Sequence, residues 1–296
     1  MAHHRYIWAI AAALLAITAV VLGARQALAP APLEEDSVAR ALALLEEDPS
    51  AWESHTRAAI RAAAVAVEAG RVRHAAGYYL LGLQYVRESN YNGAAALFKR
   101  AIAARPDWSW PYVGLGNLLG GFAFRRTEEA VAALRKAAEL DPEWSRPHDS
   151  LAIILRLAER YEEAEKEALK ALELAPDSVA TNTNYANLLV SLGRLDEAKT
   201  FYERAIELEP AHPKPYYNLA CVYSLQEQPE KTAEYLSKAI DLGESLRLEA
   251  RNDPDFDPVR NSPEFRKLVY VEEYREDMPY IESDSPAEEP PAGAAG

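Results

Sequence analysis

Four prolines, Pro106, Pro142, Pro176 and Pro210, close four stretches of the same kind and stand 36, 34 and 34 residues apart. The stretches read YNGAAALFKRAIAARP (91–106), EAVAALRKAAELDP (129–142), YEEAEKEALKALELAP (161–176) and LDEAKTFYERAIELEP (195–210). Within each, apolar residues recur three and four positions apart, the period of an amphipathic helix. Proline lacks the N–H that would continue the helix, so it ends it. Self-similarity at this period describes stacked supersecondary units, each burying its apolar face against a neighbour.

The register is shared to the residue. Counting each closing proline as position 32, position 20 is Ala94, Ala130, Ala164 and Ala198, and position 27 is Ala101, Ala137, Ala171 and Ala205. Position 8 is small (Gly82, Gly116, Ala152, Ala186), and position 7 is large (Leu81, Leu115, Leu151, Tyr185). Position 24 varies: Phe98, Leu134, Ala168, Tyr202. Small residues at 8 and 20 allow two helices to approach where they cross, and large ones fill the space beside the crossing. A fifth copy over 214–243 carries Leu219, Ala220, Leu236 and Ala239 in register, has Thr232 at position 20 and lacks the closing proline.

A 34-residue helix–turn–helix period with these positions resembles the tetratricopeptide repeat family, in its membrane-anchored bacterial form. The resemblance implies an all-α solenoid, a right-handed superhelix of five repeats (75–108, 109–144, 145–178, 179–212, 213–243). Helix A of the second repeat ends in LGGFAFRRT, two residues longer than the others, which predicts an enlarged turn. Residues 33–74 read as an N-terminal helical cap, with helices over 36–47 and 51–69. Residues 244–276 read as a C-terminal cap, in which Phe256, Val259, Phe265, Leu268 and Val269 cover the last repeat and Ser262-Pro263 starts a short helix. The tail 277–296 is acidic and rich in Pro, Ala and Gly, a composition that cannot bury a core.

At the other end, residues 6–24 form an uncharged run of 19 residues, YIWAIAAALLAITAVVLGA. A helix of that length spans roughly 28 Å, close to a bilayer's hydrocarbon thickness. We read 1–32 as an uncleaved transmembrane signal anchor, because Pro30 follows the obvious small-x-small candidate, Ala27-Leu28-Ala29, and disfavours cleavage. The short N-terminal flank favours export of the bulk of the chain, single-pass and facing the periplasm. Flanking Lys/Arg counts are nearly tied, so a cytoplasm-facing domain, or a secreted one after cleavage, stays open.

The net charge of −14 argues against nucleic acid, whose phosphates need a basic face. Half of that charge sits in 271–296, where eight Asp/Glu face one Arg. The single cysteine, Cys221, allows no intramolecular disulfide and no cysteine-built metal site. The six histidines make no zinc-hydrolase spacing, and GLGNLLGG (114–121) is glycine-rich on a helix rather than after a strand. The sequence therefore predicts no catalytic residue, metal or cofactor.

What remains is binding. The resemblance places positions 2, 5, 9 and 12 of each first helix on the concave face, and from these the candidate groove is drawn. It comprises Tyr79, Trp110, Val113, Asn117, Arg146, Asp149, Ile153, Arg156, Thr183, Asn187, Lys214 and Tyr217. Asn117 and Asn187 match the family's groove asparagine, which bonds a peptide backbone. The family's chaperone-tail receptors carry a first-repeat lysine where Tyr79 stands, so a carboxylate clamp is not expected. The groove mixes aromatic and basic side chains, suiting an extended segment with apolar and acidic residues. The expected role is a non-enzymatic scaffold or adaptor that binds protein partners through this face and assists assembly or maturation of a cell-envelope complex. The alternatives are a self-assembling structural scaffold, which would be a homo-oligomer, and an accessory subunit of an enzyme complex.

Overall fold

The closing prolines act through the residue before them. Arg105, Asp141, Ala175 and Glu209 sit at φ −139° to −145° and ψ 66° to 85°, outside the helical region. Steric pressure from the following proline ring produces that conformation, and each helix stops there. The computed structural model describes residues 75–121 and 124–270. Every described regular element is helical. The chain divides into two compact units, 1–176 and 177–296.

In the described part of the first unit, three antiparallel hairpins stack in order: α1 (Ala75–Arg87) with α2 (Tyr91–Ala104), α3 (Ser109–Gly120) with α4 (Thr127–Leu140), and α5 (Ser145–Leu157) with α6 (Tyr161–Leu174). The second unit holds two more, α7 (Val179–Ser191) with α8 (Leu195–Leu208) and α9 (Pro213–Leu225) with α10 (Pro229–Leu242). Its end is α11 (Ser245–Asn252), a 3-10 turn over Pro254–Val259, and α12 (Pro263–Val269).

The hairpin crossings are built from the small residues. Ala94, Ala101, Ala130, Ala137, Ala164, Ala171, Ala198, Ala205 and Ala239 are all fully buried. A Cβ at Gly82 would lie 2.6 Å from Phe98, and one at Gly116 would lie 2.5 Å from Leu134. Glycine is thus what lets these pairs close. Thr232, at the position that is alanine elsewhere, is fully buried, and its Oγ1 donates to the Gln228 carbonyl at 2.9 Å. That bond satisfies the hydroxyl that burial would otherwise penalise.

Each turn inside a hairpin needs one left-handed residue. Gly193 fills it at φ +73°, while Ser89, Arg125, Glu159 and Glu227 occupy it at φ +50° to +59°. Before the turn holding Arg125, α3 ends at Gly120 and α4 begins only at Thr127, whereas α5 and α6 are separated by Ala158–Arg160 alone. Three of the second helices, α4, α6 and α8, open with an arginine and a glutamate three residues on. Arg160 Nε, for example, donates to Glu163 at 2.7 Å, and the acids of the first turn favour the positive end of the helix dipole.

The C-terminal segment packs on α9 and α10. Phe256, Val259, Phe265 and Val269 are buried in one cluster with Tyr217, Cys221, Leu236 and Ile240, and Leu268 is packed partly buried against it. Ser262 accepts from the Phe265 N–H at 3.2 Å, with Pro263 in the first turn of α12. Among the described residues no helix is long and apolar enough to cross a membrane. The anchor expected over 1–32, the cap over 33–74 and the tail 277–296 lie outside the described residues.

Candidate functional site

Residues spaced by three or four share one face of a helix. Tyr79, Leu83 and Val86 share such a face on α1, and Trp110, Val113 and Asn117 share one on α3. Together with Tyr91 and Phe98 of α2, and Arg146 of α5, they line a pocket of about 390 Å³ in the first unit. Gly114 is part of its floor: a Cβ there would stand 3.1 Å from both Tyr79 and Phe98. The pocket's depth depends on that missing side chain.

Aromatic rings set the wall. Tyr79 is buried, edge-on to Trp108 with ring centroids 5.3 Å apart and to Trp110 at 6.4 Å. Burial raises its phenol pKa, only partly offset by Arg146, so the hydroxyl stays neutral at any physiological pH. Trp110 and Trp144 lie 4.6 Å apart at 32°. The Arg146 guanidinium sits 5.4 Å from the Trp110 centroid and 6.0 Å from that of Trp144. It is exposed, and among the described residues it has no carboxylate partner. Asn117 is exposed, and its side chain makes no hydrogen bond to any described residue. The combination is an apolar slot with one oriented cation and one amide at its edge, the usual makeup of a site that takes one apolar group and fixes it by a few polar contacts.

The sequence-based groove is brought together only in part. Tyr79, Trp110, Val113, Asn117 and Arg146 converge on this pocket. Asp149, Ile153 and Arg156 stand half-buried on α5, outside its lining. In the second unit the arrangement differs. Thr183 donates its hydroxyl to the Val179 carbonyl at 2.7 Å, a bond within its own helix. Asn187 Oδ1 accepts from Tyr202 Oη at 2.6 Å and from Asn218 Nδ2 at 3.0 Å, so its carbonyl serves the packing of the repeats.

Lys214 and Tyr217 are both engaged by the chain's own C-terminal segment. Lys214 pairs with Glu249 at 2.7 Å and lies over the Tyr217 ring. Tyr217 is buried, edge-on to Phe256, and donates its hydroxyl to Asp253 at 2.7 Å. The segment after α10 has folded back onto the first-helix face of the last hairpin and covers what would have been groove.

Comparison with known proteins agrees with this geometry. Models described as tetratricopeptide repeat match residues 122–143, 146–208 and 201–234. The structure of a thermophilic TPR protein of Thermus thermophilus aligns over 60% of this chain and 96% of its own, with 18% identity and a TM-score of 0.54. Residues 122–143 and 146–234 thus carry tetratricopeptide repeats, and the described helical hairpins share the fold of such proteins. Two more solved structures align less closely. The pilF protein of Pseudomonas aeruginosa covers 67% of this chain and 97% of its own at 18% identity, TM-score 0.49. YrrB, described as a TPR protein with an unusual peptide-binding site, covers 66% and 100% at 24% identity, TM-score 0.44. No curated protein matches the chain.

Two parts of the tetratricopeptide array escaped the sequence. Trp144, stacked on Trp110, was visible as a signal: a tryptophan stands two residues after Pro106 and again after Pro142, in PDWSWP and PEWSRP. The other had no local signal. Cys221 of α9 and the pair Asp253 and Asp255 place their sulfur and carboxylate oxygens within 4.8 Å of one another.

Proposed function

We propose that this chain is a non-enzymatic protein-binding scaffold that receives an extended peptide segment on the first-helix face of its first three repeats. The segment would carry an apolar or aromatic side chain close to a carboxylate. One observation carries the reading: a single pocket combines an aromatic slot with an exposed, unpaired Arg146 stacked on Trp110. Stacking holds the guanidinium in place while leaving its N–H groups for a planar anion. Asn117 stands beside it as a donor and acceptor for peptide backbone.

The uncharged run 6–24 supports a further reading, that the scaffold is tethered to a membrane with its repeats outside the cytoplasm. There it would serve assembly or maturation of an envelope complex.

The test is a peptide array probed with the purified full chain, followed by titration of retained peptides against Trp110 and Trp144 fluorescence. Aromatic-acidic peptides should bind, and Arg146→Gln and Asn117→Ala should each weaken binding by about tenfold, the effect of about 1.4 kcal/mol. No retained peptide, or retention unchanged in both variants, would end this reading. Concentration-dependent self-association in sedimentation would turn it toward a structural scaffold. Alkaline extraction and protease protection of the full chain in bacterial cells test the tether and its orientation separately.

A further inference from the structure

The acidic segment that follows α11 meets α9 at a place where its charges have little compensation. Asp253 Oδ1 accepts from the Asp255 N–H at 3.0 Å, and its Oδ2 accepts from the Tyr217 hydroxyl at 2.7 Å. Among the described residues the Asp255 carboxylate has no hydrogen bond or ion pair. Facing both from α9 is Cys221, 7% exposed, whose thiol makes no hydrogen bond to a described residue. One turn further along α9 the Ser224 Oγ is fully buried and also lacks a partner. The nearby cations are occupied elsewhere: Lys214 pairs with Glu249, and Arg260 pairs with Asp257 and donates to the Asp253 carbonyl.

We propose that Cys221, Asp253 and Asp255 form a site for a zinc-like divalent metal ion that pins the C-terminal segment onto the last repeat. The donor set selects the metal class. A thiolate disfavours magnesium and calcium, which take oxygen ligands, and matches zinc and cobalt, which accept sulfur and carboxylate together. The three donor atoms lie within 4.8 Å of one another, and tetrahedral ligands around zinc stand roughly 3.3–3.5 Å apart, given bond lengths of about 2.0–2.3 Å. Closing the site needs shifts on the order of 1 Å, and the donors come from two segments that already pack together. Three protein ligands leave a fourth position for water. Tyr217 orients Asp253 from behind, the role an outer hydrogen bond plays for a ligating carboxylate.

Binding displaces the thiol proton to solvent as the sulfur–metal bond forms, so affinity should rise with pH.

The experiment is titration of the metal-stripped full chain with Co2+, read by absorption. Cys221 is the chain's only cysteine, so a thiolate-to-cobalt charge-transfer band reports this site and no other. The proposal expects one equivalent of Co2+ with that band, displacement by Zn2+, and a melting temperature raised by several degrees with Zn2+. Cys221→Ser should abolish the band, Asp255→Asn should weaken binding at least tenfold, and Asp241→Asn, an exposed carboxylate on α10, should leave it unchanged. Far-UV circular dichroism checks that each variant folds. Should Cys221→Ser unfold, the contrast between Asp255→Asn and Asp241→Asn decides. Cobalt bound without the band, for instance at His3 and His4, or a band indifferent to Asp255, overturns the proposal.

Discussion

Gly193 offers a clean measurement of what the hairpin turns cost. It holds φ +73°, and a Cβ added there would meet nothing within 4 Å. Gly193→Ala therefore changes no packing and isolates backbone conformation. A left-handed L-residue costs roughly 1–2 kcal/mol, and alanine returns about 0.4–1 kcal/mol by restricting the unfolded chain. The net expectation is a destabilisation of about 0.5–1 kcal/mol. The same reasoning runs backward at Glu159, exposed at φ +59° in the corresponding turn of the third hairpin. Glu159→Gly should stabilise by about the same amount. Both are read in the full chain by urea unfolding at 222 nm, as midpoint shifts at unchanged slope. The two substitutions fall in different compact units. Stacked repeats can unfold in stages, so the shift is read on the transition that moves. A stabilising Gly193→Ala, or a Glu159→Gly that destabilises, would refute the view that left-handed strain governs these turns.

Further expectations concern packing and charge. Gly116→Ala brings a Cβ to 2.5 Å from Leu134 Cγ and 3.2 Å from the Ala130 carbonyl. Overpacking of this kind costs about 1–3 kcal/mol, so the melting temperature should fall by several degrees. Asn187→Ala removes an acceptor shared by the buried Tyr202 hydroxyl and Asn218 Nδ2 and should cost about 0.5–1.5 kcal/mol for each bond lost. Chemical denaturation measures it, and no loss would mean those bonds contribute nothing. The Asp196 carboxylate is held below its ordinary value of 3.8, first by its bond to Lys199 and then by that from Gln226. Its contribution is complete above pH 3.8 and disappears as pH falls through the lowered folded value. Asp196→Asn should thus narrow the stability difference between pH 5 and pH 2 slightly, an effect salt diminishes.

The helices and their crossings were legible because the repeat writes them several times. Ala130 alone says little, but alanine at position 20 in four registers says that two backbones meet there. Gly82 and Gly116 marked the same closeness, and the structure places an aromatic ring and a leucine where their Cβ atoms would be. The prolines marked helix ends because pyrrolidine chemistry acts on its own neighbour. The pocket was half legible: the family resemblance names the face on which Tyr79, Trp110 and Asn117 lie, but not the depth that Gly114 and Phe98 give it. What the register could not show was contact between distant segments. Tyr217 occupies a groove position by count, and the reading of 244–276 as a cap on the last repeat did not carry residues 253–259 onto Tyr217 itself. Asn187 likewise matched a ligand-binding position while its carbonyl was already committed to Tyr202 and Asn218.

The fold-back onto α9 also fixes where this molecule can change length. A repeat duplicated behind Asn252 would meet a face already filled by Phe256 and Val259, and its own apolar surface would have nothing to stack on. New modules can enter only upstream, where one Pro-terminated unit can be followed by another. The fold-back is then a fixed end, and added repeats would have to stack ahead of it.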